Sequence, residues 1–346
     1  MRLIIIGFMF ICFLLDSIAQ EINNNDEIKV NNTYAPLRIK GMSPSKIISI
    51  AYEYNFANQL ETNLDKDFLS KYSDSIVKLQ NNTSLKLGFN LPIINKKNIF
   101  LGFGYNYSNV KFNFEDNLTD TFSLSIGTLH NHKFSFTFYK PLNAKHFILL
   151  QYLPEINSNF QTKNIPFQNY VKQSFVAAFG WYFHERKQLA LGITRSYRAG
   201  EMTYFPLIIF NYTSQNFKWG TEIALPARAH LKYNINTKNI LMIGYELEGN
   251  SFLLTSKNGY YDKLQTKNNS IELRKSEYKL RIIAEKSLYK NIWFNAQLGY
   301  RLNNAFNIDE YDIKRFLNNK KNIAYISEKK LSNNFYIQLG VHFVAP

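Results

Sequence analysis

Residues 335–343 read Phe-Tyr-Ile-Gln-Leu-Gly-Val-His-Phe. Apolar side chains stand at Phe335, Ile337, Leu339, Val341 and Phe343, with Tyr336, Gln338, Gly340 and His342 between them. Successive side chains of a strand point to opposite faces, so this stretch is a strand with one apolar and one polar face. The same period of two recurs over 48–56, 85–91, 99–107, 134–138, 175–183 and 292–300. A soluble β-sandwich would account for any one of these segments. The set points elsewhere, because many run well past the roughly five or six residues of soluble strands. Their apolar faces carry aromatics near both ends, and the other face is built from Gly, Ser, Asn, Gln and charges. Both features suit a transmembrane barrel with a wet interior.

The rest of the chain narrows the class. It has 346 residues, 29 Phe, 23 Tyr and 3 Trp, and a net charge of +15. Arg2, an apolar run over 3–15 and the small residues Ser17 and Ala19 form a secretory signal, so cleavage after Ala19 is expected, with Gln20 first in the mature chain. The run is too short for the roughly 20 residues of a membrane helix. Cys12, the single cysteine, would leave with the signal, which excludes disulfides and thiolate chemistry from the mature protein. No later segment reads as a membrane helix, so a membrane-embedded body has to be a closed barrel. The +15 charge is spread over turns without a basic cluster, which argues against nucleic acid as a partner and for anionic lipid headgroups.

Connections alternate in length. Short ones are expected near 95–98, 141–145, 184–188, 214–216, 236–239 and 288–291, and long ones at 58–81, 110–131, 158–170, 199–204, 256–269 and 304–332. Outer-membrane barrels show this asymmetry. The stretch 217–235 keeps apolar residues at odd positions through Pro226. It is read as two strands with a tight turn over 224–226, because a mid-strand proline would break the ladder. The expectation is an all-β, antiparallel transmembrane barrel of about fourteen strands over 46–346, with twelve or sixteen still open because 110–131 is hard to parse. Residues 20–45 read as an extended periplasmic lead, or alternatively as a plug. Apolar spacing at Leu60, Leu64, Phe68 and Tyr72, and at Ile308, Tyr311 and Phe316, predicts short helices over 60–77 and 308–321.

The signal ending in Ile-Ala-Gln, the Asn/Lys/Ile/Tyr-rich strands and Phe343 near the C-terminus resemble outer-membrane β-barrel proteins of Bacteroidota. The segments LGFGYNYSNVKFNF and LPARAHLKYNINTKNILMIGYELEGNSF are similar to an uncharacterised barrel family of unknown function. The resemblance implies the outer membrane, its lipid and the barrel-assembly machinery as partners, and no assigned site. The chain departs from the pattern by ending Phe343-Val344-Ala345-Pro346, so Phe343 is expected to serve as the terminal aromatic.

No phosphate loop, H-E-x-x-H or G-x-S-x-G occurs. His130 and His132 share a strand face and could contribute to a metal site, but no third ligand lies nearby, so no metal or other cofactor is expected. A lipid hydrolase would need a nucleophile and base on the outward face, and none can be placed, so no enzyme activity is expected. The polar faces over 217–301 do carry a charge constellation: Glu222, Arg228, His230, Lys232, Glu246, Glu248, Glu277, Lys279, Arg281, Glu285 and Arg301. In a meander, neighbouring acidic and basic strands pair across the ladder. These residues are expected to line a lumen, as a structural ion-pair network or as a pore lining that admits small solutes. Arg195 falls on the apolar phase, which implies either an interfacial position or a register slip. A passive pore or small-solute transporter leads. A closed barrel that binds a partner through its outer loops is the alternative.

Overall fold

A computed structural model describes residues 39–64, 75–115, 126–160, 171–200, 202–255, 271–310 and 327–345. The signal region lies outside them. The strands are β1 (Lys46–Asn55), β2 (Asn58–Leu64), β3 (Ser75–Lys96), β4 (Ile99–Phe114), β5 (Thr128–Pro141), β6 (His146–Ser158), β7 (Val171–His184) and β8 (Lys187–Ser196). They continue with β9 (Thr203–Thr213), β10 (Trp219–Leu225), β11 (Arg228–Asn236), β12 (Asn239–Leu254), β13 (Ile271–Tyr289), β14 (Ile292–Glu310), β15 (Ser327–Leu331) and β16 (Asn334–Val344).

Sequential neighbours pair antiparallel from β3 through β14. The sheet closes because β1 pairs with β3 on one side, Ile50 opposite Leu87, and with β16 on the other, Ile50 opposite Val341. β2 continues β1 after a break at Phe56-Ala57, and β15 leads into β16 through Ser332-Asn333. The two continuations pair with each other, Leu60 opposite Leu331. The sixteen segments are therefore fourteen staves of one closed barrel, two of them interrupted. The β10–β11 hairpin pairs Ala224 with Arg228, so its turn is 225–227, one residue beyond the expected place, and parity is kept.

The alternation sorts the side chains as a bilayer requires. Leu87, Leu150, Leu191, Ile193, Leu231, Ile243, Leu298 and Leu339 are exposed on the outer surface at mid-height. Phe183, Trp219, Tyr289 and Phe343 are exposed toward the short-turn end, and Tyr54, Tyr152, Tyr204, Tyr278 and Phe335 toward the other. On β16 the belt spans Phe335 to Phe343, in keeping with the 9–11 tilted residues, roughly, that a membrane strand needs. Aliphatic residues thus form the middle of an outward apolar belt and aromatic rings its two edges, the distribution that membrane barrels show. Arg195 keeps its outward phase at the loop end of β8, opposite Tyr204, with its guanidinium 5.9 Å from the Phe175 ring centre. The register does not slip, and the arginine sits among rim aromatics.

Strands β3, β4 and β12–β14 run beyond the belt, and this corrects two expectations. Residues 60–64, 75–77 and 308–310 are strand, not helix, and 65–74 and 311–321 lie outside the described residues. The long connections are also shorter than expected, because β4 reaches Phe114 and β5 starts at Thr128. Beyond the apolar belt the outward positions turn polar, as Lys111 and Asn113 do on β4, so these strand ends read as loops.

A third correction concerns the interior. At the long-loop end its filling is apolar: Leu60, Leu79, Phe112, Leu129, Phe252, Leu254, Ile271, Leu273, Phe306 and Ile308 form one buried core. Register irregularities turn Leu79 and Phe306 inward; the first lies between Leu79 and Asn81, and the second opposite Ser276 and Glu277. β11 accompanies β12 only to Glu246, and seven residues further on β12 meets β6, Leu253 beside Ser158. Asn159 holds this junction. Its Oδ1 accepts from the Thr255 backbone N–H at 3.0 Å and from the Thr255 hydroxyl at 2.9 Å, and its Nδ2 donates to the Thr255 carbonyl at 2.9 Å. The tall staves thus close over the short ones.

Candidate functional site

Beneath the apolar core the lumen is polar, and its first layer is ionic. Glu53 of β1 is fully buried and meets Lys86 at 2.9 Å, Lys279 at 3.0 Å and Arg301 at 2.9 Å. Glu277 binds Arg301 at 2.7 Å and Lys275 at 2.6 Å. Glu248 joins through Lys279 and, at 3.5 Å, through Lys86. The Tyr336 ring lies 5.2 Å from the Lys279 ammonium and 5.8 Å from the Arg301 guanidinium. Charges at this depth are tolerable only when paired inside the barrel.

Below this layer is a cavity of about 620 Å³. A ribbon of hydrogen bonds crosses its wall. Lys46 Nζ donates to Glu285 Oε1 at 2.7 Å, and Asn295 Nδ2 donates to the same oxygen at 3.1 Å. Gln297 Nε2 donates to Asn295 Oδ1 at 3.0 Å, and Arg281 donates to Gln297 at 3.4 Å. Arg281 also binds Glu246 at 2.6 Å and His230 Nε2 at 3.2 Å. Amides and ionic groups alternate along this wall, so a solute in the cavity meets donors and acceptors in quick succession.

The short-turn mouth is crossed by residues 39–45. Gly41 takes a positive φ of 73°, and a Cβ there would stand 2.8 Å from Thr213 Cγ2, so the bend calls for glycine. The Gly41 carbonyl accepts from Lys232 Nζ, and from Asn234 Nδ2 at 3.1 Å. Ser43 donates to Glu222 from its backbone N–H at 2.9 Å and its hydroxyl at 2.8 Å. Lys40 pairs with Glu185 on the β7–β8 turn at 2.8 Å, and that hydrogen bond holds the Glu185 carboxyl below its usual range. The segment is a strap tied to the barrel wall by the Glu222–Lys232 pair.

Each of the eleven charged or histidine positions named from sequence points inward. Seven of them, Glu222, Arg228, His230, Glu246, Glu248, Arg281 and Glu285, line the cavity. The other four, Lys232, Glu277, Lys279 and Arg301, are buried in the strap contact and the ionic layer. Glu222 pairs with Lys232 across one hairpin, but Arg228, opposite Glu246 in the ladder, yields that carboxylate to Arg281. Sequence reasoning missed Glu53, Lys86, Lys275 and Lys46. Glu53 occupies an inward position of a clear alternation, so its parity was an available signal, but its partners lie on strands that meet only on closure. His130 and His132 face outward within β5. Tyr107 Oη lies 2.9 Å from His130 Nδ1 and Tyr105 Oη 2.9 Å from His132 Nδ1. Among the described residues no cluster of three metal-ligating side chains occurs.

A family pattern spans residues 43–344, from the strap to the last strand. The chain belongs to the family described as Domain of unknown function (DUF6268). No curated protein matches it. Among solved structures it is similar to an outer membrane channel from Pseudomonas putida F1, with 13% identity, 88% of this chain and 97% of that one covered, and a TM-score of 0.38. It is similar to a Pseudomonas aeruginosa FadL homologue, with 8% identity, 88% and 91% covered, and a TM-score of 0.42. The NanC porin matches at 8% identity, with 86% and 100% covered and a TM-score of 0.34. These likenesses are too distant to bear on what the lumen holds.

Proposed function

We propose that the protein is an exported outer-membrane barrel that passes small polar solutes through its lumen, and that the arrangement described above is its closed state. The observation that supports this reading is the polar wall around a cavity of about 620 Å³. Side chains alone can fill a barrel of about eight strands, and fourteen enclose more space than that. The apolar belt supports membrane insertion, and the signal ending at Ala19 supports export, with the short turns in the periplasm. The apolar core at the loop end and the ionic layer support a second reading, a permanently closed barrel that binds a partner through its outer loops.

Planar bilayers separate the two. Arg228 is exposed to the cavity and makes no ion pair among the described residues, so Arg228→Glu should leave the network intact. Replacing residues 40–43 with a Gly-Ser linker should raise conductance, and adding Arg228→Glu should shift selectivity toward cations. Silence from the wild type, from the linker variant and from a variant lacking 311–326 would leave the interaction reading in its place.

A further inference from the structure

The charges on the cavity wall do not balance. Among the lining side chains cations outnumber carboxylates six to four. Each carboxylate is already held by a protein cation: Glu222 by Lys232, Glu246 by Arg281, Glu248 by Lys279 and Glu285 by Lys46. Lys86 and Lys133, which also line the cavity, are held by Glu53 and Glu155. The two lining cations left over are Arg198 and Arg228, and neither makes an ion pair among the described residues. They are neighbours. Arg228 is exposed and opens β11 directly opposite Glu246 of β12. The Ala227 carbonyl accepts from the Leu247 N–H at 2.8 Å, and the Leu247 carbonyl accepts from Arg198 Nη1 at 2.9 Å. Arg281 reaches Glu246 from β13 at 2.6 Å. Three guanidiniums thus gather about residues 246–247 at the loop end of the cavity, with one carboxylate among them. The backbone that carries Arg198 is pinned. Its carbonyl accepts from the Ser276 hydroxyl at 3.1 Å, and a Cβ on Gly249 would collide with the same oxygen, so this close approach calls for glycine.

We infer that Arg198 and Arg228 form a binding site for a small organic carboxylate, and that this site makes the lumen select anions. A guanidinium presents its N–H donors as a planar fork that matches a carboxylate. Arg228 has the whole fork to give, and Arg198 keeps the donors that the Leu247 carbonyl does not take. A cation in this corner would meet two positive charges without counterions. A neutral solute would leave both charges uncompensated. The charge of a dicarboxylate matches them. In a narrow lumen walled by protein, unspent charges of one sign raise the local concentration of the opposite ion. The cavity volume of about 620 Å³ falls within the roughly 300–1,000 Å³ of small-molecule sites.

The inference rests on the lumen being a solute path, but binding can be measured without conduction. Isothermal titration of the full mature chain in detergent would compare succinate with inorganic phosphate, glucose and choline. It would be run on the wild type and on the variant with a linker at 40–43, so that a shut mouth cannot hide the site. Saturable succinate binding that weakens with added salt is expected, with weaker binding of phosphate and none of glucose or choline. Arg228→Gln removes no ion pair or hydrogen bond within the protein, so it should fold, as heat-modifiable gel mobility will show. Its succinate affinity should fall about tenfold, the loss of a charge-assisted hydrogen bond. Arg228→Lys, which keeps the charge but not the fork, should recover part of that loss. Lys218→Gln, on an exposed short turn, should bind like wild type. No succinate binding in either form, phosphate or choline binding as tight as succinate, or equal affinity in wild type and Arg228→Gln would overturn the site. A barrel that binds succinate yet never conducts sinks only the channel reading, and one that conducts yet binds none sinks only this one.

Discussion

Glu53 shows how much one side chain can carry in a lumen. Three cations converge on its carboxylate from β3, β13 and β14. Glu53→Ala would leave buried positive charge without its counterion, at a cost of about 3–5 kcal/mol. The measurement is the thermal midpoint in detergent, and an unchanged midpoint would refute the ionic layer. Tyr336 should behave in the opposite way. Its hydroxyl is buried without a partner among the described residues, while its ring serves Lys279 and Arg301. Tyr336→Phe keeps the ring and removes the orphan oxygen, so the midpoint should hold or rise.

Among the strands, the tall staves matter most. β12 to β14 leave the membrane belt, turn apolar side chains inward and meet β6 through one clamp. Asn159→Ala deletes three hydrogen bonds to Thr255 and should open that junction without touching the belt. Amide exchange at Leu253 and Thr255 should quicken while exchange in β8 and β9 stays slow. Equal rates in variant and wild type would show that the apolar core alone holds the end shut. Tags test which end is outside: an antibody should reach one at Asn164 on intact cells and miss one at Lys97.

The barrel as a body has two contrasting faces, an apolar belt outside and a polar lumen within. Leu231 is 47% exposed at mid-height on the outer face, whereas its chain neighbour Lys232 is fully buried inside. Leu231→Arg should impair assembly by about 2–4 kcal/mol near the midplane. The readout is the folded fraction after refolding into lipid vesicles. Arg228→Glu, on the lumen side, should refold like wild type. If both variants refold equally well, the apolar belt is not in a membrane.

Much of this was legible along the chain because a strand writes its two faces into alternate residues. Parity in 335–343 and its relatives is enough to specify strands and the outward belt, and with the hairpin around Pro226 it favours fourteen staves, while the stretch 110–131 leaves twelve or sixteen open until the strands are seen to pair. It even places Arg195 outward. Parity, however, names a face and not the medium beyond it. Beyond the apolar belt the inner face is dry, so Phe112, Leu254 and Leu273 point inward, and two register irregularities turn Leu79 and Phe306 the same way. Sequence neighbours also cannot reveal contacts made by closing a ring. Glu53 and Lys279 are 226 residues apart and become partners only because β1 seals against β16 and β3. The strap over the mouth arises in the same way, from side chains that converge across a lumen no local pattern encodes.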